Sequence, residues 1–297
     1  MTWEVMVLSP WRRHSDVMTM SNLRPWIETS DGVQLFYQDW GAGPPIVFVH
    51  AWAMSSDVWQ YNTVDFARSG YRCISFDRRG HGRSDRPRDG YDFPRLVDDL
   101  ATVLETLDLR DVTLVGHSLG GAEVAGYLAR HGTSRVARVV LLAAATPFLR
   151  QTANNPQGLP GEMIGAIQAE WRRDFPRWLH EGADAFYRPD VFGIHRGILD
   201  WTLELMRATP LPVAIRCGEL VTDTDLRGAL KELAVPTLVI HGDADASIPV
   251  QFGRMTAALV PGSKYIEYAG APHGLYLTHR DELHRDVLAH IEERGTK

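Results

Sequence analysis

Val112-Thr113-Leu114-Val115-Gly116-His117-Ser118-Leu119-Gly120-Gly121, with the helical run Ala122 to Arg130 behind it, is the stretch that decides the fold. Its first four residues form a short apolar run of the kind a buried parallel strand requires. The next five, Gly116 to Gly120, read G-x-S-x-G at the junction of strand and helix. Glycines there allow a sharp turn that pushes the Ser118 hydroxyl into a cleft. The first amides of the helix point the same way and favour developing negative charge. Alone the pentapeptide is a modest signal, because Gly-rich turns follow many strands. The flanking strand and helix make Ser118 a candidate nucleophile.

Outward from the turn, similar runs recur. Gln34–Trp40 alternates, and Ile46–Val49, Cys73–Phe76, Val139–Leu142, Thr237–Ile240 and Tyr265–Tyr268 read as further strands. Between them, Phe93, Leu96, Val97, Leu100, Val103, Leu104 and Leu107 keep the i, i+3, i+4, i+7 spacing of one helical stripe. Met255 with Leu259, and Leu283, Val287, Leu288 and Ile291, mark two more helices. Strand and helix in alternation predict right-handed crossovers and a doubly wound sheet. The alternation breaks between about Thr146 and Leu233, where Phe148, Trp171, Trp178 and Trp201 sit on segments without a strand pattern. Residues 147–230 read as a helical cap insertion over the strand ends, where open α/β folds place their ligands. The core is then 22–146 and 231–297, behind a leader of residues 1–21 in which Met18 or Met20 is as good a start as Met1.

A serine near neutral pH needs a base, and the base needs an orienting carboxylate. Gly242-Asp243-Ala244-Asp245 follows the strand Thr237–Ile240, and Ala271-Pro272-His273-Gly274 follows the last strand. Loops at three strand ends can converge on one point, so His273 is the candidate base. Asp243 and Asp245 compete as its partner; Asp245 is preferred, with Asp243 capping the loop. His279, His284 and His290 miss a common helical face, which argues against a metal site. An oxyanion needs two donors near the serine. The candidates are the backbone N–H of Leu119 and that of Trp52, in the loop His50-Ala51-Trp52-Ala53-Met54. The Trp52 ring would also line the pocket, and Phe148 and Trp201 are expected there with it.

Composition bounds the partners. The 297 residues are 44% hydrophobic and 23% charged, an ordinary globular balance. A net charge of −6 speaks against a nucleic-acid partner, and no run of about 18 apolar residues predicts a membrane span. Arg12 and Arg13 follow the apolar patch Val5–Leu8, the reverse of a secretory signal. Two distant cysteines fit a reducing compartment, so the cytoplasm is expected.

Taken together, the blocks His50-Ala51-Trp52, Phe76 to Ser84, Asp92 to Asp99, Gly116 to Gly121, Ala144 to Phe148, His241 to Asp245 and Gly270 to Gly274 resemble one family. Over about residues 25 to 293 the chain resembles the α/β-hydrolase superfamily, and within it the bacterial arylesterases and cofactor-free haloperoxidases (perhydrolases). The resemblance implies a mostly parallel eight-stranded sheet with helices on both faces and a helical cap. It implies Ser118, Asp245 and His273 as triad, the amides of Trp52 and Leu119 as oxyanion hole, and neither metal nor haem nor other cofactor. Related hydrolases are often homo-oligomers. The sequence departs from the group in three places: Ala51 and Ala53 stand in a block that usually reads His-Gly-Trp-Pro, Leu119 stands where Met is frequent, and His117 where Phe is. Members that make peracids well tend to have the Pro and Met. The expected activity is therefore hydrolysis of small aryl or alkyl esters or lactones through an acyl-enzyme. Perhydrolysis or lactam cleavage on the same triad is the alternative, and a non-catalytic ligand receptor the rival from another class. A dehalogenase or epoxide hydrolase would carry Asp at position 118.

Overall fold

A computed structural model describes residues 25–293; the expected leader lies outside them. In chain order the elements are β1 (Trp26–Glu28), β2 (Gln34–Gly41), β3 (Pro45–Val49), α1 (Gln60–Arg68), β4 (Arg72–Phe76), α2 (Phe93–Thr106), β5 (Val112–His117), α3 (Leu119–His131) and β6 (Val136–Leu142). Then follow α4 (Gly161–Tyr187), α5 (Pro189–Phe192), α6 (Arg196–Arg207), α7 (Leu211–Asp223) and α8 (Arg227–Lys231). The chain closes with β7 (Thr237–Gly242), α9 (Val250–Leu259), β8 (Lys264–Tyr268), α10 (Leu275–Thr278) and α11 (Arg280–Glu292).

The eight strands form one sheet in the order β1-β2-β4-β3-β5-β6-β7-β8. From β4 to β8 all neighbours are parallel; β2 runs antiparallel to β4 and to β1. β1 is absent from the sequence reading. Three residues are too short to show a period, and Trp26 becomes a strand residue only by pairing with Phe36.

Alternate strand residues serve two cores, as the period of two requires. Val47 and Val49 pack with the stripe of α2 and with α3 and α9, whereas Ile46 and Phe48 pack with Trp59, Phe66 and the inner face of α11. Burial on both faces is why these strands are unbroken apolar runs. Asp92 caps α2 by accepting the Arg95 N–H at 3.0 Å.

Between β6 and β7 the chain runs first through a loop with isolated bridges, residues 143–160, and then through the helices α4 to α8. α4 breaks at Asp174 (φ −160°, ψ 80°), two residues before Pro176. Proline removes an N–H donor and crowds the preceding turn, and the Asp174 carboxylate restarts the helix by accepting the Arg177 N–H at 3.1 Å. Among the described residues no helix is long and apolar enough to cross a membrane.

Candidate active site

Ser118 stands between β5 and α3 with φ 55° and ψ −120°, outside the regions an L-residue normally occupies. Such a backbone costs about 1–3 kcal/mol and persists only where its surroundings enforce it. Here Ser118 N–H donates to the Leu142 carbonyl at 3.1 Å, and the Ser118 carbonyl accepts from Gly121 at 3.0 Å and Ala145 at 2.9 Å. The elbow also demands close approach. A Cβ on Gly120 would collide with the carbonyl of Val49, and one on Gly116 with that of Gly120.

The loop after β7 presents Asp245, and the loop after β8 presents His273. His273 Nδ1 lies 2.6 Å from Asp245 Oδ2, both side chains buried. The other oxygen, Oδ1, accepts the backbone N–H groups of Ser247 and Ile248, each at 2.8 Å. Burial opposes the charge on Asp245. The imidazoles of His273 and His241 outweigh it and hold the carboxyl well below the usual carboxylate range. Asp243 faces away: its Oδ1 accepts the Gly270 N–H at 2.5 Å, bracing the loop that carries His273.

Two further buried histidines bracket this pair. His117 Nε2 donates to the His273 carbonyl at 3.0 Å, its ring 4.6 Å from the His273 ring. Burial, and then the neighbouring His273, depress the His117 pKa and keep it neutral. His241 Nε2 donates to the Ile248 carbonyl at 2.8 Å and lies 3.4 Å from Asp245 Oδ2. Sequence alone assigns neither a role: His117 stands out there only as a departure at the elbow, and His241 only as the first residue of a family block. Their signal was position, one residue before the elbow serine and four before Asp245.

Ser118 and His273 line a single cavity of about 290 Å³ together with Ala51, Trp52, Ser247 and the helices after β6. The backbone N–H groups of Trp52 and Leu119 have no protein acceptor among the described residues. The Trp52 ring does line the cavity. Its Nε1 donates to the Ala214 carbonyl at 2.7 Å, and its face lies 4.6 Å from the ring of Trp171. Phe148 and Trp201, expected beside it, do not line the cavity. Phe148 sits under the Arg227 guanidinium, 5.2 Å away, while the adjacent Leu149 turns inward. Trp201 packs edge-on to Tyr61 at 6.2 Å. α6 turns Leu199, Thr202, Leu203 and Met206 to the cavity, and position 201 falls off that face. The aromatic wall comes instead from both halves of α4, as Trp171, Trp178 and Phe186. No charged side chain lines the cavity among the described residues, apart from the titratable His273.

Known proteins are similar to this chain in sequence and fold. The sequence model of the alpha/beta hydrolase fold family matches residues 44–280. A non-heme chloroperoxidase of Kitasatospora aureofaciens is 38% identical over 274 residues, 91% of this chain and 100% of that protein. A bifunctional esterase/perhydrolase of Acinetobacter calcoaceticus is also 38% identical, over 90% of this chain and 99% of its own. Among solved structures, a bromoperoxidase from Bacillus anthracis superposes with a TM-score of 0.86 at 32% identity, covering 90% of this chain and 99% of that one. An esterase from Exiguobacterium antarcticum does so with 0.85 at 29%, with the same coverage. A mostly parallel eight-stranded sheet, a strained serine at its central elbow and relatives matched along nearly their whole length lead to one statement: this chain belongs to the alpha/beta hydrolase fold family.

Proposed function

We propose that this protein is a serine hydrolase of carboxylic esters working through an acyl-enzyme. Ser118 is the nucleophile, His273 the general base, Asp245 its orienting acid, and the N–H groups of Trp52 and Leu119 the oxyanion donors. The observation that carries the reading is the buried 2.6 Å pair of His273 and Asp245 opening on the same cavity as Ser118. The Asp245 carboxylate accepts a hydrogen bond from Nδ1–H and keeps the proton on that nitrogen, which leaves Nε2 unprotonated to take the serine proton as Oγ attacks the ester carbonyl. The carbonyl electrons move to oxygen, where the two amides meet the charge. Collapse expels the alcohol, which receives that proton from His273. Water activated by the same imidazole then adds to the acyl-enzyme, freeing the acid and restoring Ser118.

The cavity favours an uncharged, apolar acyl or aryl group, because its wall offers no charged partner to a substrate carboxylate. A second reading draws on the relatives named non-heme chloroperoxidase and esterase/perhydrolase. Hydrogen peroxide replacing water in the second half-reaction would release a peracid from the same acyl-enzyme, with no cofactor. The deciding experiment is a panel of p-nitrophenyl esters, aryl esters and lactones, run beside stoichiometric labelling with a fluorophosphonate. Labelling and turnover that both vanish in Ser118→Ala support the proposal. Labelled wild-type protein without turnover on any short ester favours a receptor instead.

A further inference from the structure

The elbow serine and its base are well braced, but the loop after β3 has a separate support that no step of the proposed reaction uses. Arg78 and Glu123 are both fully buried. Arg78 Nε lies 2.5 Å from Glu123 Oε1, and Nη2 donates to Oε2 at 2.9 Å. The guanidinium has donors to spare. Nη2 also reaches the His50 carbonyl at 2.8 Å, and Nη1 the Ala51 carbonyl at 3.3 Å. His50 completes the arrangement. Its Nε2 accepts the backbone N–H of Arg78 at 3.0 Å, so the imidazole proton sits on Nδ1 and is donated to the Ala51 carbonyl at 2.8 Å. Burial, and then the Arg78 charge, depress the His50 pKa and hold it in that neutral form. Met54 N–H adds a long bond to the same carbonyl, at 3.4 Å.

A trans peptide is planar, with its C=O and N–H pointing in opposite directions. Whatever fixes the Ala51 oxygen therefore aims the N–H of Trp52 the other way, away from Arg78. We propose that Arg78, held by Glu123 and acting with His50, is a positioning residue that clamps the Ala51 carbonyl and thereby aims the Trp52 N–H at the oxyanion. The inference rests on the hydrolase reading above and deepens it. Two further observations agree with it. Ala53, next in the loop, is held at φ 58°, so the loop does not rest in its relaxed conformation. A buried ion pair is also weak support for stability by itself, since apolar residues of similar volume often serve as well. A guanidinium that, beyond Glu123, reaches two consecutive loop carbonyls and sets Nη1 3.2 Å from His50 Nδ1 suits orientation better.

Arg78→Lys tests the clamp. It keeps the charge beside Glu123 but loses the planar fork that reaches the pair and both carbonyls at once. Removing a single oxyanion donor costs about 10²–10³ in kcat, so misaiming one should cost about 10- to 100-fold, with KM within about twofold. The selective readout is inhibition by a trifluoromethyl ketone, which forms an oxyanion on adding to the serine, against the matching secondary alcohol, which forms none. Ketone affinity should fall with kcat while alcohol affinity holds. His50→Phe removes the shortest hydrogen bond to the Ala51 carbonyl, leaves the Arg78–Glu123 pair in place, and should give the same split. Each variant is measured where its thermal transition shows folded protein. A kcat within twofold of wild type in either folded variant, or equal losses of ketone and alcohol affinity, overturns the clamp. Wild-type protein that neither turns over esters nor adds the ketone at Ser118 overturns the hydrolase reading and the clamp together.

Discussion

Replacing Asp245 by asparagine changes one atom and should disable the proposed base. The loop amides of Ser247 and Ile248 both donate to Oδ1, at 2.8 Å each. Only the amide oxygen of an asparagine can accept them, so its NH₂ must take the place of Oδ2, 2.6 Å from His273 Nδ1. Two donors cannot share that contact. His273 must move its proton to Nε2, the nitrogen that should accept from Ser118. In a serine protease the same exchange lowers kcat about 10⁴-fold, and general acid–base contributions run about 10²–10⁴. We expect Asp245→Asn to lower kcat on a good ester by about 10²–10⁴, or roughly 2.7–5.4 kcal/mol at 1.36 kcal/mol per decade. KM should stay within a few-fold. Asp243→Asn is the control, since its amide oxygen can still accept the Gly270 N–H; it should lower thermal stability more than kcat. Steady-state kinetics on folded protein decide. A larger kcat loss in Asp243→Asn than in Asp245→Asn would refute the reasoning.

Acid stability should follow the same carboxylate. Its pKa is depressed on folding, so its contribution is present above the unfolded value of about 4 and is lost as pH falls toward the lower folded value. Thermal melts from pH 6 to pH 3 should drop more steeply for wild type than for Asp245→Asn; parallel curves would count against it. Gly218→Ala would set a methyl 2.5 Å from Trp171 Cζ3 and 3.1 Å from Trp52 Nε1. The rings must shift, so chain-length preference across p-nitrophenyl esters should change at a cost of about 1–3 kcal/mol; an unchanged profile would place those rings outside the acyl path. Proline cannot adopt the φ of 58° found at Ala53, whereas glycine can. Ala53→Pro should therefore lower the melting temperature and rebuild the loop, and Ala53→Gly should do neither. With Ala53 and Leu119 in place, bromination of monochlorodimedone in acetate and peroxide should run well below ester hydrolysis; equal rates would contradict this.

Local chemistry was legible without the fold. The Gly116–Gly121 turn, the apolar runs of β3 to β8 and the stripe of α2 each follow from neighbours a few residues apart, because backbone sterics and side-chain periodicity act at that range. β1 escaped for the same reason, since three residues carry no period and pairing with β2 made the strand. The cap aromatics show the limit more sharply. Nothing in the sequence separates Trp201 from Trp171, both aromatic on helical segments. Which one faces the cavity depends on how α4 bends at Asp174 and which face α6 turns inward. Likewise the bond from Asp245 to His273 spans 28 positions, and the contacts of Arg78 with His50 and Glu123 span 28 and 45. The residue types and their loops could be read along the chain. Their partners could not, because a hydrogen bond is decided within an ångström, and only the packing of β3, β5, β7 and β8 with their helices sets distances that fine.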